Sequence, residues 1–290
     1  MSHWDSALRS VTETASGVYG PRSFTGYLRE IGRDPSKFRT ATELSVDTRP
    51  QLPTPLADQD TMLLQLGRAT DGPGTQFALV RVPDRLDDFF IDEREYRPDD
   101  RETLDYTTGG DDTHDLGEEV RDMLDLSRSL PTFSERGFVH FALSTGLVSR
   151  ALELDLARIG TAPATVASSF DFAFEPHPDR STVLQYNDGQ LELDTLVLTR
   201  RNGERVLLVV QAKCGGRQAV AKHVVGYPAL AAETSLSLDV DRVVPVYLRA
   251  RPVKGGVRYS IYECSIPAGE ERPCLAGLHV VDDSHYEVRL

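Results

Sequence analysis

The feature that most constrains this chain is one 24-residue stretch, "QLELDTLVLTRRNGERVLLVVQAK", at positions 190–213. Two β-rich runs flank Asn202-Gly203, both of which accept the positive φ of a two-residue type I′ turn. Such a turn makes Arg201 face Glu204, so facing residues have numbers that sum to 405. Asp194 is then expected opposite Gln211, and Glu192 opposite Lys213, with all four side chains on one face by strand alternation. The hairpin is otherwise apolar on both faces. Leu196, Leu198, Leu207 and Val209 lie on one, and Val197, Leu208 and Val210 on the other, as in strands covered by helices on both sides. A buried strand that ends on Gln-Ala-Lys is unusual, because a buried ammonium loses its water and must find a partner. The polar end is therefore predicted to sit at a cleft.

The chemistry of that end is specific. A carboxylate beside an amide carbonyl is a hard-oxygen pair suited to magnesium, which keeps several of its own waters. A lysine alongside can orient a water and stabilise charge on a phosphate. The competing reading is a Glu192–Lys213 salt bridge with Asp194 bonded to the Gln211 amide.

Around the hairpin the order of elements reads helix, strand, strand, strand, helix, strand. Ser134 is placed to N-cap "ERGFVHFALSTGLVSRALELDLARIG". Strands are expected at about 167–174 and 182–187, a helix at about 217–234, and a β-branched strand at 242–250. Further strands follow in "VRYSIYEC" and "LHVVDDSHYEVRL". Upstream, strands are expected in "TMLLQLGRA" and at Phe77–Val82, and a helix at 117–130.

Asp194 and, seventeen positions later, Gln-Ala-Lys at the end of an apolar strand resemble the PD-(D/E)XK nuclease motif in its glutamine form, D…QxK, as in Mrr-like restriction endonucleases. The resemblance implies an α/β fold: a restriction-endonuclease-like αβββαβ core with a mixed sheet flanked by helices, over about 134–250, plus an N-terminal α+β domain. It implies a magnesium-dependent endonuclease acting on DNA phosphodiesters, with manganese as a substitute. Asp194 and Gln211 would hold the metal with the carbonyl of Ala212, Lys213 would position the water, and Glu192 would tune Lys213 or share the metal. Arg217, Lys222 and His223, near the start of the following helix, would meet the phosphate backbone. The sequence departs from the family pattern at Leu193-Asp194, which replaces proline-aspartate, and at Gly215-Gly216 after the lysine. The first-helix acid has two candidates, Glu135 and Glu153. DNA, a second copy of the chain and a cognate methyltransferase are the implied partners. The alternatives are a nuclease-fold module that binds without cutting, or a repair or recombination nuclease.

Composition divides the chain. Residues 84–125 hold 17 acidic residues against five arginines, whereas 195–258 hold 11 basic residues against four acids. The net charge of −13 thus belongs mainly to a middle segment that reads as an acidic linker, and not to the hairpin region. Domains are expected at 1–92, 93–130 and 131–290. No apolar run is long enough to span a membrane, and "MSHWDSALRS" lacks the apolar stretch expected of a signal peptide. Cys214, Cys264 and Cys274 lack metal-ligand spacing and read as reduced thiols in a cytoplasmic protein.

Overall fold

A computed structural model describes residues 2–96, 101–107, 121–122, 125, 135–156 and 164–290. The expected helix at 117–130 falls largely outside the described residues, as does Ser134.

The N-terminal part contains α1 (Asp5–Glu13), β1 (Val18–Ser23), α2 (Phe24–Glu30), α3 (Thr40–Leu44), α4 (Thr54–Ala57), β2 (Thr61–Arg68), β3 (Thr75–Arg81), β4 (Phe90–Asp92) and β5 (Glu102–Asp105). There follow α5 (Glu135–Ser144), α6 (Leu147–Ala151), β6 (Ala164–Phe174), β7 (Leu184–Arg201), β8 (Glu204–Cys214), β9 (Ala219–Ala221), α7 (Lys222–Ser235), β10 (Arg242–Val253), β11 (Gly256–Ser265) and β12 (His279–Arg289). The main sheet runs β1-β3-β2-β7-β8-β10-β11-β12-β5, with β6 paired to β7. The β7–β8 pair is antiparallel and β8–β10 parallel. The chain is thus α/β, with a large mixed sheet flanked by helices.

The hairpin forms as its turn residues dictate. Asn202 and Gly203 take φ of 52° and 82°, and every ladder pair from Arg201↔Glu204 to Thr195↔Val210 sums to 405. Asp155 accepts hydrogen bonds from both turn amides, at 2.7 and 2.9 Å. These satisfy donors that a tight turn otherwise leaves to water.

The two faces of the sheet bury into different clusters. Val197, Leu208, Val210, Val244, Val246 and Leu248 pack against Phe138, Phe141 and Val148 of α5 and α6. Leu196, Leu207 and Val209 pack on the other face with Tyr227 and Leu230 of α7 and with Trp4, Phe24 and Phe77. Burial of each such side chain contributes about 1.5–3 kcal/mol. The segment 1–92 therefore shares one apolar core with the hairpin. Leu198 departs from the expected pattern, being 40% exposed.

Three expectations are corrected. The helix expected over 135–160 breaks, in its described part, into α5 and α6, because Gly146 adopts a left-handed φ of 81° between them. The helix expected at 217–234 begins at Lys222; the residues before it form β9, which pairs with β4. The segment after Glu93 is not wholly surface excursion. Glu102–Asp105 adds a strand parallel to β12, and Leu104 is buried. Glu93 itself is fully buried, its carboxylate 2.6 Å from Arg249 Nη2 and bonded to the Tyr247 hydroxyl. Charge there is affordable only because an arginine arrives from β10.

Candidate active site

The β7–β8 ladder stops at Thr195↔Val210, one pair short of Asp194 and Gln211. Beyond it the strands part. The first half of β7 runs alongside β6, while β8 continues beside β10 as far as Ala250↔Cys214. A cavity of about 220 Å³ opens near the fork, lined by Glu192, Gln211, Lys213, His223, Tyr227 and Asp47 among others.

The expected single face for four polar side chains is corrected by a bulge. On the β6 side, Val166 pairs with Leu193 but Ala164 with Leu196, so β7 carries one extra residue there. Leu193 and Leu196 consequently both pack into the same cluster, which regular alternation forbids. Glu192 lies on the other side of the break, and its carboxylate pairs with Arg136 of α5, not with Lys213. The Glu192–Lys213 salt bridge is therefore absent.

Asp194 sits at the bulge. Burial, then the neighbouring Glu192 carboxylate, push its carboxyl above the ordinary aspartate range. Lys213 opposes that shift and Glu135 adds to it. Glu135 opens α5 and accepts a hydrogen bond from the Cys214 amide at 3.0 Å. Of the two candidate helix acids, it is the one brought to the end of β8. Glu153 lies past the end of α6 in a left-handed turn.

Lys213 is part-buried, and its ammonium lies 3.1 Å from Asp47 Oδ2. This partner comes from the N-terminal segment, 166 residues away. Gln211 is 6% exposed, and its amide nitrogen has no hydrogen-bond partner among the described residues. The same holds for His223 Nδ1 and the Tyr227 hydroxyl. Three buried polar atoms without partners around one cavity are expensive, at about 1–3 kcal/mol each if water is kept out. Burial pushes the His223 imidazole down to about 4, so it is neutral at pH 7.

The expected phosphate-contacting residues separate. Lys222 turns inward to donate to the Ala276 carbonyl at 2.6 Å, and burial lowers its pKa. His223 lines the cavity and stacks obliquely on Tyr227 at 5.3 Å. Arg217 lies in the connection before β9, outside the helix expected to present it. Asp47 and Tyr227 are pocket residues that the motif spacing does not reveal; the orphaned neighbours of Gln211 exist only once α7 is docked.

Among the described residues, no group of three or more His, Cys, Asp or Glu side chains is arranged to hold a metal. No helix among them is long and apolar enough to cross a membrane. All three cysteines are free thiols. Comparison of the chain with family models, with curated proteins and with solved structures finds no match.

Proposed function

We propose that the chain is a metal-dependent nuclease of PD-(D/E)XK type that hydrolyses DNA phosphodiester bonds. The observation that carries this reading is the fork between β7 and β8. It gathers Asp194 in the middle of β7, Gln211 and Lys213 near the end of β8 and Glu135 at the start of α5, and leaves buried polar atoms there without partners among the described residues. The order α5/α6, β6, β7, β8, α7, β10, with β7–β8 antiparallel and β8–β10 parallel, supports it as well.

The donor set fits magnesium. Asp194, the Gln211 amide oxygen and the Ala212 carbonyl are hard oxygens. Counted from the turn, Ala212 has its carbonyl on the β7 side, where the ladder has ended. Magnesium needs only one or two carboxylates because it retains waters, so a site without a three-carboxylate cluster suffices. The mutual repulsion of Asp194, Glu192 and Glu135 is charge that a cation would relieve. Bound there, the ion would supply Lewis-acid polarisation of a phosphoryl oxygen and a more acidic water. On this reading Lys213 orients the attacking water and offsets charge on the phosphate, with Glu135 restraining the strand end through the Cys214 amide.

The Asp47–Lys213 ion pair favours a second reading, a module of this fold that binds nucleic acid without cutting. On the cleaving reading, substrate phosphate displaces Asp47 from the ammonium.

The test is incubation of the purified chain with supercoiled plasmid. Strand cleavage is expected with magnesium or manganese, and none with excess chelator. Calcium should permit binding without efficient turnover, since its looser coordination misplaces the water. Asp194→Asn should lose most activity, and Gln211→Glu should retain some. Cleavage that survives chelator overturns the mechanism; DNA binding with no cleavage under any metal supports the second reading.

A further inference from the structure

Beside the fork, on the same face of the sheet, lies a second pocket of about 180 Å³. Its lining contains five arginines, Arg101, Arg217, Arg249, Arg251 and Arg258, together with Ser260, and no carboxylate among the described residues. The sheet register explains the convergence. Arg249 is the β10 partner of Lys213, and Ser260 and Arg258 on β11 face Arg249 and Arg251 in turn. Partners directly across a ladder project from one face, so three guanidiniums share a patch, and Arg101 and Arg217 close it from flanking segments.

The charge balance is unequal. Arg249 is held from beneath by Glu93, at 2.6 Å, and donates to the Cys214 carbonyl at 3.1 Å. Arg258 pairs with Glu287 at 2.7 Å, and Arg101 reaches the same carboxylate only at 3.8 Å. Among the described residues neither Arg217 nor Arg251 makes an ion pair. Among the described residues, two carboxylates thus answer five guanidiniums, and three further positive charges converge on a small cavity. Asp283 is turned to His285 Nε2 at 2.7 Å. Burial, with Arg258 and Arg217 as like-charged neighbours, lowers the pKa of Arg101. Packing like charges together costs stability unless an anion completes the site.

We propose that this pocket binds a phosphate monoester, whose dianion matches the surplus charge better than a phosphodiester or a carboxylate does. Guanidiniums suit the task because their planar forks take phosphate oxygens two at a time. Arg249, immobilised by Glu93, forms a preset floor, and Arg217 and Arg251 supply the uncommitted donors. The inference does not depend on the cleavage reading. The source of the monoester is either a phosphorylated strand end or a free nucleotide.

Binding measured in chelator, where no cleavage intervenes, decides both points. Oligonucleotides carrying a 5′-phosphate or a 5′-hydroxyl and a 3′ fluorophore are compared by anisotropy, and adenosine monophosphate is compared with adenosine by calorimetry. A preference of about tenfold or more for the phosphorylated member of either pair is expected, the size of one charge-assisted contact or more. Preference in the first pair assigns the strand end; preference in the second alone assigns the free nucleotide. The Arg217→Gln/Arg251→Gln double variant removes two residues without ion pairs among the described residues and relieves like-charge repulsion, so it should melt no lower than the parent while losing the preference. Lys213→Ala should keep it. No preference in either pair, or one undiminished in the folded double variant, overturns the proposal.

Discussion

Lys213 and Arg249 are register partners on adjacent strands, and each holds one carboxylate contributed by the first third of the chain. They differ in everything else. The Glu93–Arg249 pair is almost wholly buried, with side chains 0% and 4% exposed, and is bonded further to the Tyr247 hydroxyl, the Gln218 amide and the Cys214 carbonyl. The Lys213–Asp47 pair is about one-third exposed, at 31% and 38%, and consists of a single 3.1 Å contact at a cavity wall. A buried pair whose every polar atom is engaged is part of the fold, and removing one member strands the other. A singly bonded pair that is about one-third exposed contributes little to stability and can exchange its anion. Two neighbouring cations are thus assigned different work by burial alone.

The contrast can be broken at either pair. The largest effect is expected from Lys213→Ala, which should reduce cleavage about 100-fold or more while thermal melts and DNA gel shifts stay close to the parent. Retention of most of the cleavage rate would remove Lys213 from the chemistry. Glu93→Ala should cost about 3–5 kcal/mol of unfolding free energy, the range for one member of a buried pair. Urea denaturation that shows a loss under 1 kcal/mol, about what an exposed pair contributes, would place Glu93 with the exchangeable pairs.

Asp194→Asn sharpens the comparison through pH. The folded-state pKa of Asp194 is raised, so between the ordinary value of about 3.9 and the raised one the folded state holds the extra proton. Stability contributed by that site falls as pH rises through this window. The asparagine variant should therefore melt higher than the parent at pH 7, and the gain should vanish below about pH 4, where both states of the parent are protonated. An equal gain at both pH values would mean that charge is not its cause. The smallest effect is expected from Asp47→Ala, within about 1 kcal/mol of the parent. Its sharper readout is DNA affinity, which should tighten as the competing anion leaves Lys213. Unchanged affinity would show that Asp47 does not occupy the substrate's place.

Much of the hairpin was legible in advance. Asn202-Gly203 determines its own turn because few other residues accept two consecutive positive φ values, and a tight turn sets the register for every pair that follows. The near-continuous runs of Leu and Val announce strands buried on both sides. The placement of Gln211 and Lys213 at the end of β8 follows from counting. All of this is local information, carried within 24 residues.

What the sequence could not show is set at long range. The bulge at Asp194 and Thr195 depends on how β6 is accommodated beside β7, and it moves Glu192 away from Lys213 and toward Arg136. The acidic run that begins before Glu93 reads as solvated, yet Glu93 is buried because Arg249 lies 156 residues later. Asp47 meets Lys213 across 166 residues. The five-arginine pocket draws on β10, β11 and two connecting segments whose charges look scattered along the chain. Local propensity and periodicity decide which strands form and how each hairpin turns, since those depend on a residue and its near neighbours. Which charge is buried, which is paired and which is left open depends on desolvation and on partners from distant segments, and only the packed fold supplies both.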